Sequence, residues 1–173
     1  GSNAGNWWFL SDGQTSWNYG MNLNGNAAQA DKSGNGSMSS PTSTVFDVNY
    51  TDGMDDSGNV LQIAYCFANI DGYIKEGNYI GNAAASGPFI YLGFSPAWLL
   101  IKEFGAADNW LVYDNKRLGF NLDAAGNAIL YIDDTAAEGN QASRAIDMTS
   151  NGFKVKTSNA TLNADAGKYQ YLA

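Results

Sequence analysis

Short apolar runs recur along the chain, rich in aromatic and β-branched residues and bounded by Gly, Asn, Asp and Ser. Runs of this length and composition predict β-strands. Strands are predicted over residues 7–10, 17–23, 44–48, 61–67, 78–80, 89–92, 98–102, 111–113, 128–132, 145–148, 152–156 and 169–172. A spacing of about ten residues between strand centres is typical of an antiparallel sandwich or jelly roll. We therefore expect an all-β fold of antiparallel β-sandwich or jelly-roll-like modules.

The chain carries an internal repeat at an offset of roughly a hundred residues, which is a module-sized period. The matched segments are residues 6–12 with 109–115, 26–30 with 135–139, 44–48 with 151–155, and 62–67 with 169–173. Residues 70–105 have no counterpart. We interpret the chain as about one and a half copies of the repeat: residues 1–69 form the back half of a first module, and residues 70–173 a nearly complete second module. Residues 1–4 fit either an expression-tag remnant or the counterpart of residues 105–108, and we expect the chain to be a piece of a longer protein.

Helical periodicity is weak throughout, so single helical turns are expected at most at residues 26–30 and 135–138. Glycines on both sides of residues 128–132 suggest an exposed hairpin. Trp98 begins the most apolar run in the chain, which predicts a core position for its ring. Cys66 is the only cysteine and lies in an apolar run, where a lone cysteine usually acts as a small core residue.

The charge balance argues against two classes of partner. The net charge is −8, with only 9 Lys and Arg residues, so the electrostatic footprint of a nucleic-acid-binding protein is absent. The same sign argues against docking on anionic membranes. No apolar run reaches the length of a transmembrane helix, so membrane insertion is not expected.

Catalytic chemistry finds little support in the sequence. The chain has no histidine, which removes Ser-His-Asp and Cys-His catalysis and the usual zinc sites. No glycine-rich loop ends in a Lys-Ser or Lys-Thr pair. The acidic residues do not form the clustered strand pattern of sandwich-fold glucanases, whose chemistry needs two carboxylates close together. We predict a protein that is not an enzyme, with no catalytic residues and no cofactor.

One acidic loop is a candidate calcium site. Asp52, Asp55 and Asp56 lie within a few residues of each other, and calcium binds several oxygens from one flexible loop. The corresponding loop of the second copy keeps only Asp165. A site that the fold requires should occur in both copies, so a polar hairpin turn is the favoured interpretation.

Aromatic residues are the stronger signal. The candidates for ligand or interface contacts are Trp7, Trp8, Trp17, Tyr19, Tyr73 and Tyr79. Successive residues of a strand point to opposite faces, so Trp7 and Trp8 should place one ring inward and one outward. Each ring fits either a packed position in a core or between modules, or a platform for a sugar.

Three stretches carry a resemblance to a known family. They are Gly72-Tyr73-x-Lys75-x-Gly77-x-Tyr79-x-Gly81-Asn82, then Gly87-Pro88-Phe89-Ile90-Tyr91-x-Gly93-Phe94-x-Pro96-Ala97-Trp98-x-x-Ile101-Lys102, then Asn109-Trp110-x-Val112-Tyr113-Asp114. Together they resemble a tandem β-sandwich module of tail-fibre and virion structural proteins of marine tailed bacteriophages.

The resemblance implies a concanavalin-like, non-enzymatic part on the outside of a virion. Its partners would be other virion proteins and further copies of itself, with a trimer as the usual fibre state. Our leading hypothesis adds contact with host-surface glycans as receptors through many weak contacts. Three alternatives remain: a capsid decoration or fibre-shaft protein without receptor contact, a secreted bacterial carbohydrate-binding module, and a glycan depolymerase on a tailspike.

Overall fold

The computed structural model describes residues 5–33, 39–48, 63–117, 121 and 127–173. The strands are β1 (Trp8–Phe9), β2 (Tyr19–Asn22), β3 (Ala30–Asp31), β4 (Glu76–Ile80), β5 (Phe89–Tyr91), β6 (Trp98–Glu103), β7 (Leu111–Asp114), β8 (Asn127–Tyr131), β9 (Gly139–Gln141), β10 (Ile146–Thr149), β11 (Gly152–Val155) and β12 (Lys168–Leu172). A 3-10 helix spans Ala142–Arg144, and helix α1 spans Ala160–Asn163. Every pairing between these strands is antiparallel, which confirms the predicted all-β fold.

The strands form three sheets that pack as layers. The central sheet has six strands in the order β4-β12-β6-β7-β8-β9, and the two smaller sheets have the orders β10-β11-β5 and β1-β2-β3. Strand β6 shows why the central sheet lies in the middle. Leu99 and Ile101 belong to one core cluster, whereas Leu100 between them belongs to the other. A strand covered on both faces is apolar at successive positions instead of alternating.

The larger core lies between the central sheet and the sheet β10-β11-β5. It contains 15 buried residues, among them Tyr79, Phe153, Tyr169 and Tyr171. The Tyr79 and Tyr169 rings stack at 4.8 Å, and the Phe153 ring meets Tyr79 edge-on at 6.0 Å. Offset stacking and edge-to-face contact are the arrangements that aromatic rings favour. This cluster makes the described part of residues 70–173 a sandwich.

The smaller core joins the sheet β1-β2-β3 to the other face of the central sheet. Trp110 is only 1% exposed, and its ring meets Phe9 edge-on at 5.0 Å. The Trp110 Nε1 group donates to the Asn22 carbonyl oxygen at 2.9 Å. Met21 is buried in the same cluster. A buried indole that also satisfies its only donor anchors the N-terminal layer in one position.

The two copies of the repeat share one strand arrangement where both are described. Strands β1-β2-β3 and β7-β8-β9 are each joined in sequence order by antiparallel pairing. Phe9 pairs with Met21, as Val112 pairs with Leu130. Gly20 pairs with Ala30, as Ile129 pairs with Gly139. These pairings agree with the sequence alignment, which matches residue 30 to residue 139. The module boundary at residue 69 stays a prediction.

The back part of the first copy differs from the prediction. Residues 63–67 form no strand and are exposed, although a strand was expected over residues 61–67, of which 61 and 62 lie outside the described residues. Residues 44–48 contain a single bridge position, Val48, instead of a strand. Cys66 is exposed and free, so the expectation of a small core residue is wrong. In the second copy, the corresponding closing strand β12 lies between β4 and β6.

Neither of the two segments in which at most a single helical turn was expected forms one. Ala30 belongs to β3, and residues 135–138 lead into β9 without a helical turn. A single turn of helix is unfavourable by itself, because its nucleation fixes several residues for one hydrogen bond. The ends of the two segments are therefore extended and pair with β2 and β8 as strands β3 and β9. The helical turn that forms, α1, begins where the Asn159 side chain accepts from the Thr161 amide.

One strand that was expected at the surface and one residue that was expected in the core are also corrected. Strand β8 is not an exposed hairpin, because it pairs with β7 and β9 and buries Ala128 and Ile129. Trp98 is not a core residue, because its side chain is 42% exposed. It is the first residue of β6, pairs with Asp114 and lies outside both core clusters. Among the described residues, no helix is long and apolar enough to cross a membrane.

Candidate functional site

The predicted aromatic candidates occupy different environments. Trp7 is 65% exposed and Tyr73 is 77% exposed, whereas Trp17 and Tyr19 are half-buried. Tyr79 lies in the larger core, and its hydroxyl donates to the Leu162 carbonyl oxygen at 3.0 Å. These side chains therefore do not form one aromatic platform.

Trp8 is half-buried on the outer face of the N-terminal layer. The Lys32 ammonium lies 4.6 Å from the centre of its ring, a cation–π contact. The ring also packs on Gly20, where a Cβ atom would lie 3.1 Å from it. With Gly20, Asn22 and Lys32, Trp8 borders a small cleft of about 140 Å³. The Trp8 Nε1 donor and the Asn22 Oδ1 acceptor are both buried and have no partner among the described residues.

The acidic calcium candidates, Asp52, Asp55 and Asp56, lie outside the described residues. Within the part of the chain that the structure describes, no group of three His, Cys, Asp or Glu side chains could hold a metal ion.

A larger cleft of about 330 Å³ lies where an N-terminal loop crosses the end of the central sheet. We call it the loop–sheet cleft. Its walls combine the loop with strands β4 and β12 and the residue that follows β6. The lining residues are Gly13, Gln14, Thr15, Asn78, Tyr79, Ile80, Phe104 and Lys168. Its volume is at the lower end of the range for small-molecule sites.

The loop is held against the sheet by close backbone approach. A Cβ atom at Gly13 would overlap with the Gln170 side-chain amide, so glycine lets the loop lie directly on β12. The Asn78 side chain donates to the Gly13 carbonyl oxygen at 3.0 Å. The Gly13 amide in turn donates to Ser11 Oγ at 3.1 Å. These contacts fix one wall of the cleft.

Further hydrogen bonds secure the far side of the loop. The Thr15 amide donates to Gln29 Oε1 at 3.2 Å, and Gln29 Nε2 donates to Thr15 Oγ1 at 2.5 Å. The Gln29 amide donates to the Phe104 carbonyl oxygen at 2.9 Å, which ties the pair to the central sheet. The cleft is therefore bordered by ordered backbone on both sides.

Gln14 is the residue that gives the cleft chemical character. Its side chain is only 6% exposed, and Nε2 donates to the Phe9 carbonyl oxygen at 3.3 Å. Its Oε1 atom is buried, and no described residue donates to it. Buried acceptors in native proteins nearly always have a donor, because an unpaired one costs about 1–3 kcal/mol. An acceptor without a protein partner, on a residue that lines a cleft, is suited to a ligand that donates hydrogen bonds.

The rest of the lining complements this acceptor. Lys168 is exposed at the start of β12 and supplies an ammonium donor. Ile80, opposite Lys168 in the β4–β12 ladder, is 62% exposed and adds apolar surface, whereas the lining residue Phe104 is buried in the smaller core. Acceptor, donor and apolar surface within one cleft fit a ligand with hydroxyl groups on a partly apolar frame.

A buried lysine lies on the strand beside β12. Lys102 is 1% exposed and pairs in register with Gln170. Burial lowers the pKa of Lys102 to about 8, although the Asp108, Asp133 and Glu103 carboxylates oppose the shift. Its ammonium donates to the Ala106 carbonyl oxygen at 3.1 Å. Burial also raises the pKa of Glu103, with a further contribution from Asp108. These groups support the loop at residues 105–108 and do not line the cleft.

Apart from Tyr79, which is both a predicted candidate and a lining residue, the sequence did not identify the residues of the loop–sheet cleft. Gln14, Thr15 and Lys168 stand alone in turn-like sequence, and none belongs to a recognised motif. The available signal was Ser11-Asp12-Gly13, a polar turn with a glycine, but turns of this kind are common. The partner surface is about 65 to 155 residues away along the chain, so the sequence does not reveal it.

Comparison with known proteins assigns a family but no activity. Residues 1–173 match the family described as a domain of unknown function (DUF7483), and the chain belongs to that family. No curated protein and no solved structure matches the chain.

Proposed function

We propose that this chain is a non-enzymatic structural module of a tailed-phage fibre or other virion appendage, and that its loop–sheet cleft binds a glycan of the host surface. The setting on a virion comes from the sequence resemblance. The choice of ligand comes from the cleft.

The observation that carries the ligand class is Gln14, which lines the loop–sheet cleft and whose buried Oε1 atom has no donor among the described residues. A sugar hydroxyl donates to such an acceptor and accepts from a neighbouring ammonium, here that of Lys168. The C–H face of a sugar ring packs on apolar surface, which Ile80 supplies. A nucleotide or polyphosphate fits less well, because Lys168 is the only basic residue of the lining and the chain carries a net charge of −8.

A single shallow cleft binds a sugar weakly, so the proposed function depends on repetition. Several copies held in one fibre raise the effective concentration of the second and later sites. By resemblance to phage fibres, we propose a homotrimer associated with other virion proteins. Avidity would then supply the attachment strength that one module lacks.

The test is binding of the chain to purified host-surface polysaccharide. Isothermal titration calorimetry measures binding to the free chain, and surface plasmon resonance measures binding to an array of immobilised chains. Lys168→Ala removes an exposed donor with little risk to the fold, and Gln14→Met removes the acceptor. We expect each to weaken binding by about tenfold, the effect of one lost hydrogen bond of about 1.4 kcal/mol. Lys116→Ala, an exposed lysine outside the cleft, is the matched control.

The outcomes separate the alternatives. Binding that is weakened by Lys168→Ala and unaffected by Lys116→Ala supports the proposal. No binding by the chain even when it is presented multivalently would favour a decoration or shaft protein. Shortening of the polysaccharide during incubation would favour a depolymerase and defeat the non-enzymatic assignment.

A further inference from the structure

We infer that the N-terminal half-module is a docking surface for a polypeptide segment that resembles residues 70–104 and is contributed by another module of the same protein. The inference rests on three separate unpaired features of the first copy, each of which is satisfied in the second copy by strands β4, β5 and β6. It is independent of the glycan-binding proposal.

The first feature is the open edge of β1. The Leu23 amide donates to the Trp7 carbonyl oxygen, so Trp7 and Phe9 direct their backbone groups toward β2. Alternation in an antiparallel ladder then directs the groups of Trp8 and Leu10 away from β2. Among the described residues, no strand lies on that side. The equivalent strand β7 has β6 in this position, with Leu111 paired to Ile101 and Tyr113 paired to Leu99.

The second feature is the segment 63–67. Ile63, Tyr65 and Phe67 are 80%, 75% and 64% exposed, and they stand at every second position, as in a strand with one buried face. Their sequence counterpart is β12, which pairs with β4 on one side and β6 on the other. Tyr171 and Leu172, the counterparts of Tyr65 and Cys66, are 5% and 9% exposed. The same sequence pattern is therefore a buried strand in one copy and an exposed segment without a strand in the other.

The third feature is the outer face of the N-terminal layer. Trp8 and Asn22 correspond to Leu111 and Tyr131 in the ladders of the two copies. In the second copy this face of the sheet packs on β10-β11-β5. In the first copy the Trp8 Nε1 and Asn22 Oδ1 atoms are buried without a partner among the described residues. A β5-like strand across this face would cover it with side chains, as β5 does in the second copy.

One partner accounts for all three features. By analogy with the order β4-β12-β6-β7 of the second copy, a β6-like strand would pair with β1 and with the segment 63–67. A β4-like strand would pair with the far side of that segment, and a β5-like strand would cover Trp8. The partner is thus an apolar three-strand segment with the sequence pattern of Phe89–Tyr91 and Trp98–Glu103. A second free copy of this chain does not fit, because its own β4, β5 and β6 are already paired within its sandwich.

The test is a lengthened chain in which a second copy of residues 70–104 precedes Gly1, compared with the 173-residue chain by amide hydrogen exchange. We expect exchange at Trp8, Leu10 and residues 63–67 to slow by at least about tenfold, because these amides become part of a ladder. The exposed Cys66 thiol should lose reactivity toward a disulfide reagent by a similar factor. In the matched control, the added copy carries Leu99→Asp and Ile101→Asp, and the protection should be lost.

Slow exchange of β12 in the same spectra establishes that the second module is folded. If β12 is protected while residues 63–67 and Cys66 react as fast as in the unextended chain, the inference is overturned. Protection that appears in the unextended chain as its concentration rises would also overturn it, because the occupant would then be a second copy. Binding of glycan has no bearing on either result.

Discussion

Trp110 and Trp98 are two tryptophans of the second module with opposite environments. Trp110 fills the smaller core and donates to the Asn22 carbonyl, whereas Trp98 is 42% exposed at the end of β6. We expect Trp110→Ala to lower the free energy of unfolding by about 3–5 kcal/mol, the range for emptying a large aromatic site. Trp98→Ala should cost about 1 kcal/mol or less, as is usual for a partly exposed position. Denaturant unfolding of both variants measures the difference, and equal losses would contradict the assigned burial.

Lys102 predicts a dependence of stability on pH. Its folded-state pKa of about 8 lies below the ordinary value of 10.5. Between these values the unfolded chain holds a proton that the folded chain has released, so the free energy of unfolding rises with pH. We expect a gain of about 1–2 kcal/mol from this residue between pH 8 and 9.5. Above about pH 10 the trend reverses, because burial raises the pKa of Tyr169 to about 12 and the folded chain then retains a proton that the unfolded chain loses.

Urea unfolding at several pH values tests this expectation. Lys102→Met, which keeps the apolar stem and removes the ammonium, should abolish the rise from pH 8 to 9.5. Lys116→Met changes an exposed lysine and should keep it. A rise of the same size in Lys102→Met would assign the effect to another group.

At the level of residues, the sequence predicts burial correctly within a continuous apolar run. It fails where burial depends on the position of a residue within the folded sheet. Leu99, Leu100 and Ile101 are buried as the apolar run predicts. Trp98 belongs to the same run, yet it lies one row beyond the covered part of the sheet. Gln14 was not predicted, because its unpaired acceptor results from a loop that touches a strand more than 150 residues later, at Gln170.

At the level of elements, Gly152 controls the attachment of β5 to β11. A Cβ atom there would overlap with the Ile90 carbonyl oxygen, so Gly152→Ala must push the edge strand away. We expect a loss of about 1–3 kcal/mol in the free energy of unfolding, as for overpacking at other tight sites. Gly105→Ala is the matched control, because nothing lies within 4 Å of a Cβ atom at that exposed position. This variant should be neutral or should raise the free energy of unfolding by up to about 1 kcal/mol, because alanine lowers the conformational entropy of the unfolded chain. Thermal unfolding of both variants gives the comparison, and a neutral Gly152→Ala would contradict the close approach of β5.

Strands can be recognised from the sequence where five or six successive residues are rich in apolar and aromatic side chains. Strands β6 and β12 were predicted within about one residue at each end, and uncertainty of this size is usual for strand bounds. The short strands β3 and β9 were missed, because Ala30–Asp31 and Gly139–Gln141 have no apolar alternation and are strands only through their partners β2 and β8. Residues 63–67 show the converse, since a good strand pattern forms no strand without neighbours.

At the level of the whole molecule, the chain is a three-layer assembly in which one central sheet is covered on both faces. The all-β class follows from the sequence, because short alternating runs exclude helical packing. The third layer cannot be predicted from the sequence. Strands β1-β2-β3 and β7-β8-β9 are two similar three-strand meanders, and the sequence does not show which of their faces are in contact. Phe9 and Val112 are equivalent in the repeat, and both belong to the smaller core. The two meanders therefore pack through equivalent faces.

This packing predicts how the N-terminal layer can be released. Phe9 contacts Trp110 in the smaller core, and Trp7, two positions earlier in the same segment, is 65% exposed. Phe9→Asp places an unpaired charge against the central sheet and should detach β1-β2-β3, at a cost of several kcal/mol for that layer. Trp7→Asp should leave the layer in place. Limited proteolysis followed by mass spectrometry should then cut the Phe9→Asp protein rapidly within residues 5–33 while β12 stays protected from amide exchange. Simultaneous loss of protection in β12 of the Phe9→Asp protein would mean that the layers unfold as one unit. Rapid cutting of the Trp7→Asp protein as well would mean that the contact between Phe9 and Trp110 does not hold the layer in place.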